Sequence, residues 1–239
     1  MATRVIDDNK LNNIATAIQA KDNGGVMTVD EMPARIAAIP SQDMTLINSL
    51  IDRSIISIES DVTSVGNGAF NGCRSLTTAT FPNATSVGDD AFIGCLSLTT
   101  AIFPNATSLG ANSMRNCARL TTIEIPKTIQ INGCCFFGCY WLPRIFLQSV
   151  TALTGQQIFW GCSELTTVIM GKRATLGNAN SFTNNNAIIY VQPDDLSWYE
   201  TETNWSTLYA DNRIKSVAEL TGDDLTWYQQ QLAKYPEEE

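Results

Sequence analysis

Cys73, Cys95, Cys117, Cys139 and Cys162 are spaced by 22, 22, 22 and 23 residues. Thiols placed this regularly raise three chemical readings, and each is poorly served. Zinc wants pairs of ligands about two to four residues apart. The close group Cys134, Cys135 and Cys139 is not two such pairs, and the chain holds no histidine to complete a set. A disulfide framework suits small secreted domains, but the seven cysteines are an odd count and no export signal is visible. A catalytic thiolate needs a base or an electropositive neighbour, and none is indicated. The reading that remains is structural: one small apolar slot recurs, and cysteine fills it as a compact hydrophobe.

The paired carboxylates lead to the same place. Glycoside hydrolysis uses two carboxylates at a set separation, and Asp89-Asp90 and Asp194-Asp195 are the candidate pairs. They fall in turns or at a helix start, where solvated charge and capping are the usual roles. The sequence has no nucleophile–base arrangement and no phosphate-cradling glycine loop. The expectation is a protein that is not an enzyme and uses no metal and no cofactor.

What would position these residues is a repeat. Thr63–Ala84 and Thr85–Ala106 share 17 of 22 letters. Four apolar columns run in step with that period. One is the cysteine column; the second is Leu76, Leu98, Leu120, Leu142 and Leu165. The third is Phe70, Phe92, Met114, Phe136, Phe159 and Phe182; the fourth is Val65, Val87, Leu109, Ile131, Leu153 and Leu176. A period in the twenties is the mark of a solenoid, whose units bury their faces only against their neighbours. The fold class is therefore an α/β repeat solenoid of about six rungs.

Within a rung, "LTTATF" (Leu76–Phe81) alternates as a short strand, with Leu76, Ala79 and Phe81 inward and Thr78 and Thr80 outward. Pro82-Asn83 and Pro104-Asn105 turn the chain off the strand. Gly66, Gly88, Gly110 and Gly177 open the next corner. Stacking then sets the outward residues in two columns on one face. The first holds Thr78, Thr100, Thr122, Arg144 and Thr167; the second holds Thr80, Ile102, Glu124, Phe146 and Ile169. Threonine is common on solvated strands, but Ile102, Phe146 and Ile169 as an exposed apolar group point to a contact site. Tyr140, Trp141 and Trp160 add aromatics suited to sugar rings or protein hot spots. Rungs four and five are the expected contact region.

The charge balance narrows the partners. With 15 basic and 24 acidic residues the net charge is −9, and no run of Lys and Arg occurs in the sequence, so nucleic acid is not an expected partner. No stretch reaches the ~18–20 apolar residues of a membrane span. The N-terminus lacks the apolar core of a signal peptide, so assembly in the cytosol is expected.

The motif "GAF-x-GC-x-SLTT-x-x-FP" (Gly68–Pro82, repeated at Asp90–Pro104) resembles the BspA-type leucine-rich repeat family, over about Ser54 to Asn186. Rung four, "IQINGCCFFGCYWLPRIFLQSV", keeps the columns but carries aromatics outside, and rung six has Asn185 in the cysteine slot. The flanks add to the resemblance. Leu11–Pro40 is similar to a segment at the start of structural proteins of tailed bacteriophages and prophages. Ile51–Ile55 resembles the lead-in to the first rung there, and Ala187–Leu220 the closing segment. The resemblance implies a non-enzymatic virion component, in tail fibre, baseplate or decoration. Its implied partners are other virion proteins or a host-surface protein or glycan, with a homo-oligomer in the particle. A bacterial cell-surface adhesin built on the same repeats is the alternative, and a polysaccharide-degrading tail enzyme a more distant one.

Four segments follow: 1–44 as a pair of short helices for attachment or capping, 45–186 as the solenoid, 187–220 as a C-terminal cap, and 221–239 as a helix with an acidic tail. Leu11, Ile14, Ala15 and Ile18 mark the first N-terminal helix and Thr28 with Glu31 caps the second. Ile188–Val191 reads as a last strand, and Leu196, Trp198 and Tyr199 as cover for the open core. In the final helix Leu225, Tyr228, Leu232 and Tyr235 form a stripe that fits either the solenoid or a copy of itself.

Overall fold

The computed structural model describes residues 57–60 and 62–236. The helices expected within 1–44, the lead-in at Ile51–Ile55 and the last three glutamates lie outside the described residues.

A rung has a first strand of three or four residues and, except at the C-terminal end, a second of two. In chain order these are β1 (Ser57–Glu59), β2 (Ser64–Val65), β3 (Thr78–Thr80), β4 (Ser86–Val87), β5 (Thr100–Ile102), β6 (Ser108–Leu109) and β7 (Thr122–Glu124). They continue as β8 (Gln130–Ile131), β9 (Arg144–Leu147), β10 (Ala152–Leu153), β11 (Thr167–Met170), β12 (Thr175–Leu176), β13 (Ile188–Val191) and β14 (Ile214–Ser216). All pairings are parallel. The even-numbered strands from β2 to β12 make a six-stranded sheet on a second side of the coil. Strands were expected on one face alone. The "TSVG" segment, whose Val and Leu were read as a column opening a corner, forms this second ladder.

The first face is split. β1, β3, β5 and β7 form one four-stranded sheet, and β9, β11, β13 and β14 form another. In neighbouring rungs the N–H just before the strand bonds back to the preceding rung: Thr99 to Thr77 at 2.9 Å, Thr121 to Thr99 at 3.0 Å, Thr166 to Pro143 at 3.0 Å. Rung four has Pro143 at that position, and proline has no N–H to donate. The ladder breaks there and restarts one rung later.

All the predicted column residues are interior, none more than 4% exposed. The phenylalanines stack along the axis: Phe70 on Phe92 at 5.0 Å, Phe136 on Phe159 at 5.3 Å and Phe159 on Phe182 at 5.2 Å. Between them, Phe81 lies on Phe103 at 5.7 Å. Rungs also meet through backbone. A Cβ on Gly110 would sit 2.5 Å from the Asp89 nitrogen, so side chains are excluded where two corners touch. In "AF-x-GC" the glycine has positive φ (Gly72 66°, Gly94 71°, Gly138 71°). Where glycine is replaced the residue is Asn116 or Asn184, a type that tolerates this left-handed conformation.

The cysteine slot is more specific than a small apolar hole. The thiol of Cys95 donates to the Phe70 carbonyl at 3.1 Å, Cys117 to Phe92 at 3.2 Å, Cys139 to Met114 at 3.2 Å and Cys162 to Phe136 at 3.1 Å. Each satisfies a carbonyl one rung back. Asn185 takes over the role in rung six, its amide donating to Phe159 at 2.9 Å. Six of the seven cysteines are buried and Cys134 alone is half-buried. We therefore expect a thiol reagent to label one cysteine in the native protein and seven after unfolding. Fast labelling of more than one would contradict the slot.

The solenoid is closed at its C-terminal end by α1 (Leu196–Thr201) and α2 (Trp205–Ala210). Tyr199 is fully buried as expected, with Leu196 and Trp198 packed beside the core. The largest plug is a residue the sequence reading passed over. Trp205 is fully buried, its ring 5.8 Å from Phe182 and 5.1 Å from Tyr199, and its Nε1–H donates to the Ala174 carbonyl at 2.6 Å. β14, also not foreseen, extends the parallel ladder past Ile188–Val191.

Candidate functional site

The outward columns form in the expected register: Thr78 beside Thr100 beside Thr122, Thr80 beside Ile102 beside Glu124, Arg144 beside Thr167, and Phe146 beside Ile169. What covers them differs along the coil. On rungs one to three Thr78, Thr80, Thr100, Ile102 and Thr122 keep solvent contact.

On rungs four and five the expectation of an exposed apolar group is corrected. Phe146 is 8% exposed, and Ile169 and Thr167 are buried. The cover is α3 (Gly222–Lys234), which folds back over β9, β11 and β13. Leu225, Trp227, Tyr228 and Leu232 pack against Phe146, Ile169 and Leu220 in a cluster separate from the main core. Tyr228 meets Phe146 edge-on at 5.5 Å. Of the two destinations open to the helix stripe, its own solenoid takes it.

Polar contacts fix the register of this strap at both ends. Near its start, Asp224 pairs with Arg144 at 3.1 Å and accepts from the Thr167 hydroxyl at 2.7 Å, while Arg144 lies 5.3 Å over the Trp227 ring. Near its end, Lys234 pairs with Glu124 at 2.6 Å, and Tyr235 donates its hydroxyl to the same carboxylate. The hydrogen bond to Glu124 raises the Lys234 pKa above its ordinary value, and burial raises that of Tyr235. Arg144, Thr167 and Glu124, expected as contacts for a partner, are instead the seats of the chain's own helix.

The aromatic half of the expected site stays open. Trp141 is 63% exposed and Tyr140 is 47% exposed, in the turn that precedes β9. Trp160 is half-buried, its ring stacked on Phe137 at 4.6 Å, and Arg115 lies 4.6 Å over the same Phe137 ring. Phe137 and Arg115 were missed. Their signal was present in the outward column Ile93, Arg115, Phe137 and Trp160, which has the same period as the interior ones.

Several of the groups weighed for chemistry have structural work. Burial pushes the thiols of Cys135 and Cys162 up to about 12 and raises those of Cys117 and Cys139 well above the ordinary range. A thiolate is disfavoured at each. Asp89 accepts from the Ala111 N–H at 2.7 Å, joining two rungs, and Asp195 pairs with Arg173 at 2.6 Å. Among the described residues no group of three or more Cys, Asp or Glu is placed to hold a metal, and no helix is long and apolar enough to cross a membrane.

The repeat geometry has a counterpart among known families. The BspA type leucine rich repeat region matches in six copies, over residues 48–166 and 107–199. The chain belongs to this leucine rich repeat family. No curated protein matches it. Among solved structures, a leucine rich cell surface protein of Faecalibacterium prausnitzii A2-165 is similar at 20% identity, covering 58% of this chain and 44% of that one, with a TM-score of 0.49. The T. pallidum leucine rich repeat protein is 19% identical, over 54% of this chain and 59% of that one, TM-score 0.43. A leucine-rich repeat protein of Bacteroides ovatus ATCC 8483 is 14% identical, over 59% and 63%, TM-score 0.29. This leucine rich repeat chain spans less than two thirds of the length of each.

Proposed function

We propose that the protein is a non-catalytic binding module. Its contact surface is the aromatic corner of rungs four and five, flanked by the open threonine face of rungs one to three. The observation that carries this is the exposure of Trp141 and Tyr140, large apolar rings left in solvent beside a stacked Phe137–Trp160 pair. Aromatic residues at an open site are the commonest anchors of protein contacts and present flat faces to sugar rings. A regular solenoid supplies such rings on a rigid support.

The finer reading is a structural or adhesion component of a tailed phage particle, contacting host surface or other virion proteins. It rests on the flanking segments Leu11–Pro40 and Ala187–Leu220 rather than on the repeats. Replacing Trp141 and Tyr140 together by Ala is expected to weaken retention of the labelled protein on intact host cells by at least about tenfold. Circular dichroism and unfolding midpoint should not change, since both side chains lie outside the core. Unchanged retention would sink the aromatic site. Mass spectrometry of purified particles and of the cell envelope separates the locations: enrichment in the envelope, with none in particles, would favour a cell-surface adhesin.

A further inference from the structure

Two outward ridges run side by side at the aromatic corner. The first is the column Ile93, Arg115, Phe137 and Trp160, held by bonds from rung to rung. Gly94 N–H donates to the Arg115 carbonyl at 2.8 Å, Asn116 to Phe137 at 2.7 Å and Gly138 to Trp160 at 3.0 Å. The second ridge is the turn after each cysteine. It carries Arg74 on rung one, Arg119 on rung three, Tyr140 and Trp141 on rung four, and Glu164 on rung five. Trp141 N–H donates to the Ala118 carbonyl at 3.3 Å, so its turn stacks on the one that holds Arg119. Tyr140 lies between the ridges, since a Cβ added at Gly161 would meet its ring at 3.9 Å.

The charge of these ridges is opposite in sign to that of the chain. Their charged residues are Arg74, Arg115, Arg119 and Glu164, in a protein of net charge −9. Arg74 and Arg119 are exposed, and neither guanidinium has a hydrogen bond or ion pair among the described residues. Arg115 lies over the Phe137 ring and donates to the neutral side chain of Asn112 at 3.3 Å, so its charge is not cancelled either. Glu164 stands at the far end, one rung past Trp141. The strip thus sets aromatic faces beside unpaired cations, over rungs one to five. At about 4.8 Å per rung that is roughly 19 Å, longer than a single sugar ring. The backbone of the first ridge is spent on its own ladder, so an extended peptide finds no edge there to pair with.

We propose that this strip binds an anionic glycan, a chain of sugars carrying carboxylate or phosphate groups. Sugar rings lie on the faces of Trp141 and Tyr140. The anionic groups fall toward Arg119, Arg115 and Arg74, whose planar forks fit carboxylate and phosphate alike. This rests on the aromatic corner being a contact site, and names what it contacts.

Isothermal titration of the full chain with oligogalacturonate, phosphomannan, maltohexaose and poly-glutamate tests it. One or both anionic glycans bind, and less tightly as salt is raised; which one binds tells carboxylate from phosphate. Neutral maltohexaose and poly-glutamate do not bind. Arg119→Gln weakens glycan binding about fivefold, the size of one ion pair near water. Glu164→Gln strengthens it, and neither variant moves the unfolding midpoint. The proposal is overturned if neither anionic glycan binds, if maltohexaose binds as tightly, or if Arg74→Gln and Arg119→Gln both leave the affinity unchanged. Poly-glutamate binding as tightly would also overturn it and make the partner an acidic protein. Loss of host-cell retention in the Trp141 and Tyr140 double variant, with no glycan bound by the parent, would overturn the ligand and leave the contact site standing. Glycan binding unchanged in that double variant would overturn the proposal by removing the rings from the site.

Discussion

Phe92→Ala is expected to lower the unfolding free energy by about 3–5 kcal/mol, the range for deleting a buried aromatic ring. Phe92 is fully buried and touches three other rings, with centroids 5.0 Å away at Phe70, 5.6 Å at Phe103 and 6.0 Å at Phe81. The cavity left behind would not collapse. Rung spacing is set by backbone ladders on several sides of the coil, among them Phe70 N–H to Ala91 at 2.7 Å and Phe92 N–H to Ser113 at 2.8 Å. Those bonds hold the walls apart. Urea unfolding followed by far-ultraviolet circular dichroism reads the loss as a lower midpoint. A change under about 1 kcal/mol would mean that the stacked column does not support the coil.

The second large effect belongs to the end of the array. Trp205→Ala is expected to destabilise by a comparable ~3–5 kcal/mol. It would also change how the protein behaves in solution. The ring closes the last rung against Phe182 and Tyr199, and its N–H satisfies the Ala174 carbonyl. Removing it opens the end of a stack whose every layer is apolar inside, and exposed repeat ends associate. Trp205→Phe retains the ring contacts but loses the hydrogen bond, and should recover most of the loss. Size-exclusion chromatography with light scattering beside the unfolding curve distinguishes the two effects. A monomeric Trp205→Ala protein of parental stability would show that another element closes the coil.

The site was only partly legible in advance. Thr78, Thr100 and Ile102 lie where period and alternation put them, because a strand residue's direction follows from its position in the strand. Phe146 and Ile169 point the predicted way and are nonetheless hidden. Their cover comes from Leu225 and Tyr228, far along the chain, and nothing local to rungs four and five encodes that meeting. The cysteine slot shows the same division. Its burial could be read from the recurrence, but the thiol-to-carbonyl bond of Cys95 to Phe70 could not, since it depends on how one rung is offset on the next. Asn185 in that slot was the clue that the position needs a donor.

By itself the sequence determined the solenoid, its interior columns, the outward register and the inert surroundings of the thiols. A repeat of fixed length makes every rung's neighbours the same residues one period away, so local pattern and tertiary contact coincide. The tertiary structure alone decided where the first face breaks at Pro143, that Trp205 plugs the end, and that α3 takes the face of rungs four to six. Each of these joins residues outside the period, and contacts of that kind are set by packing geometry that no recurrence in the chain records.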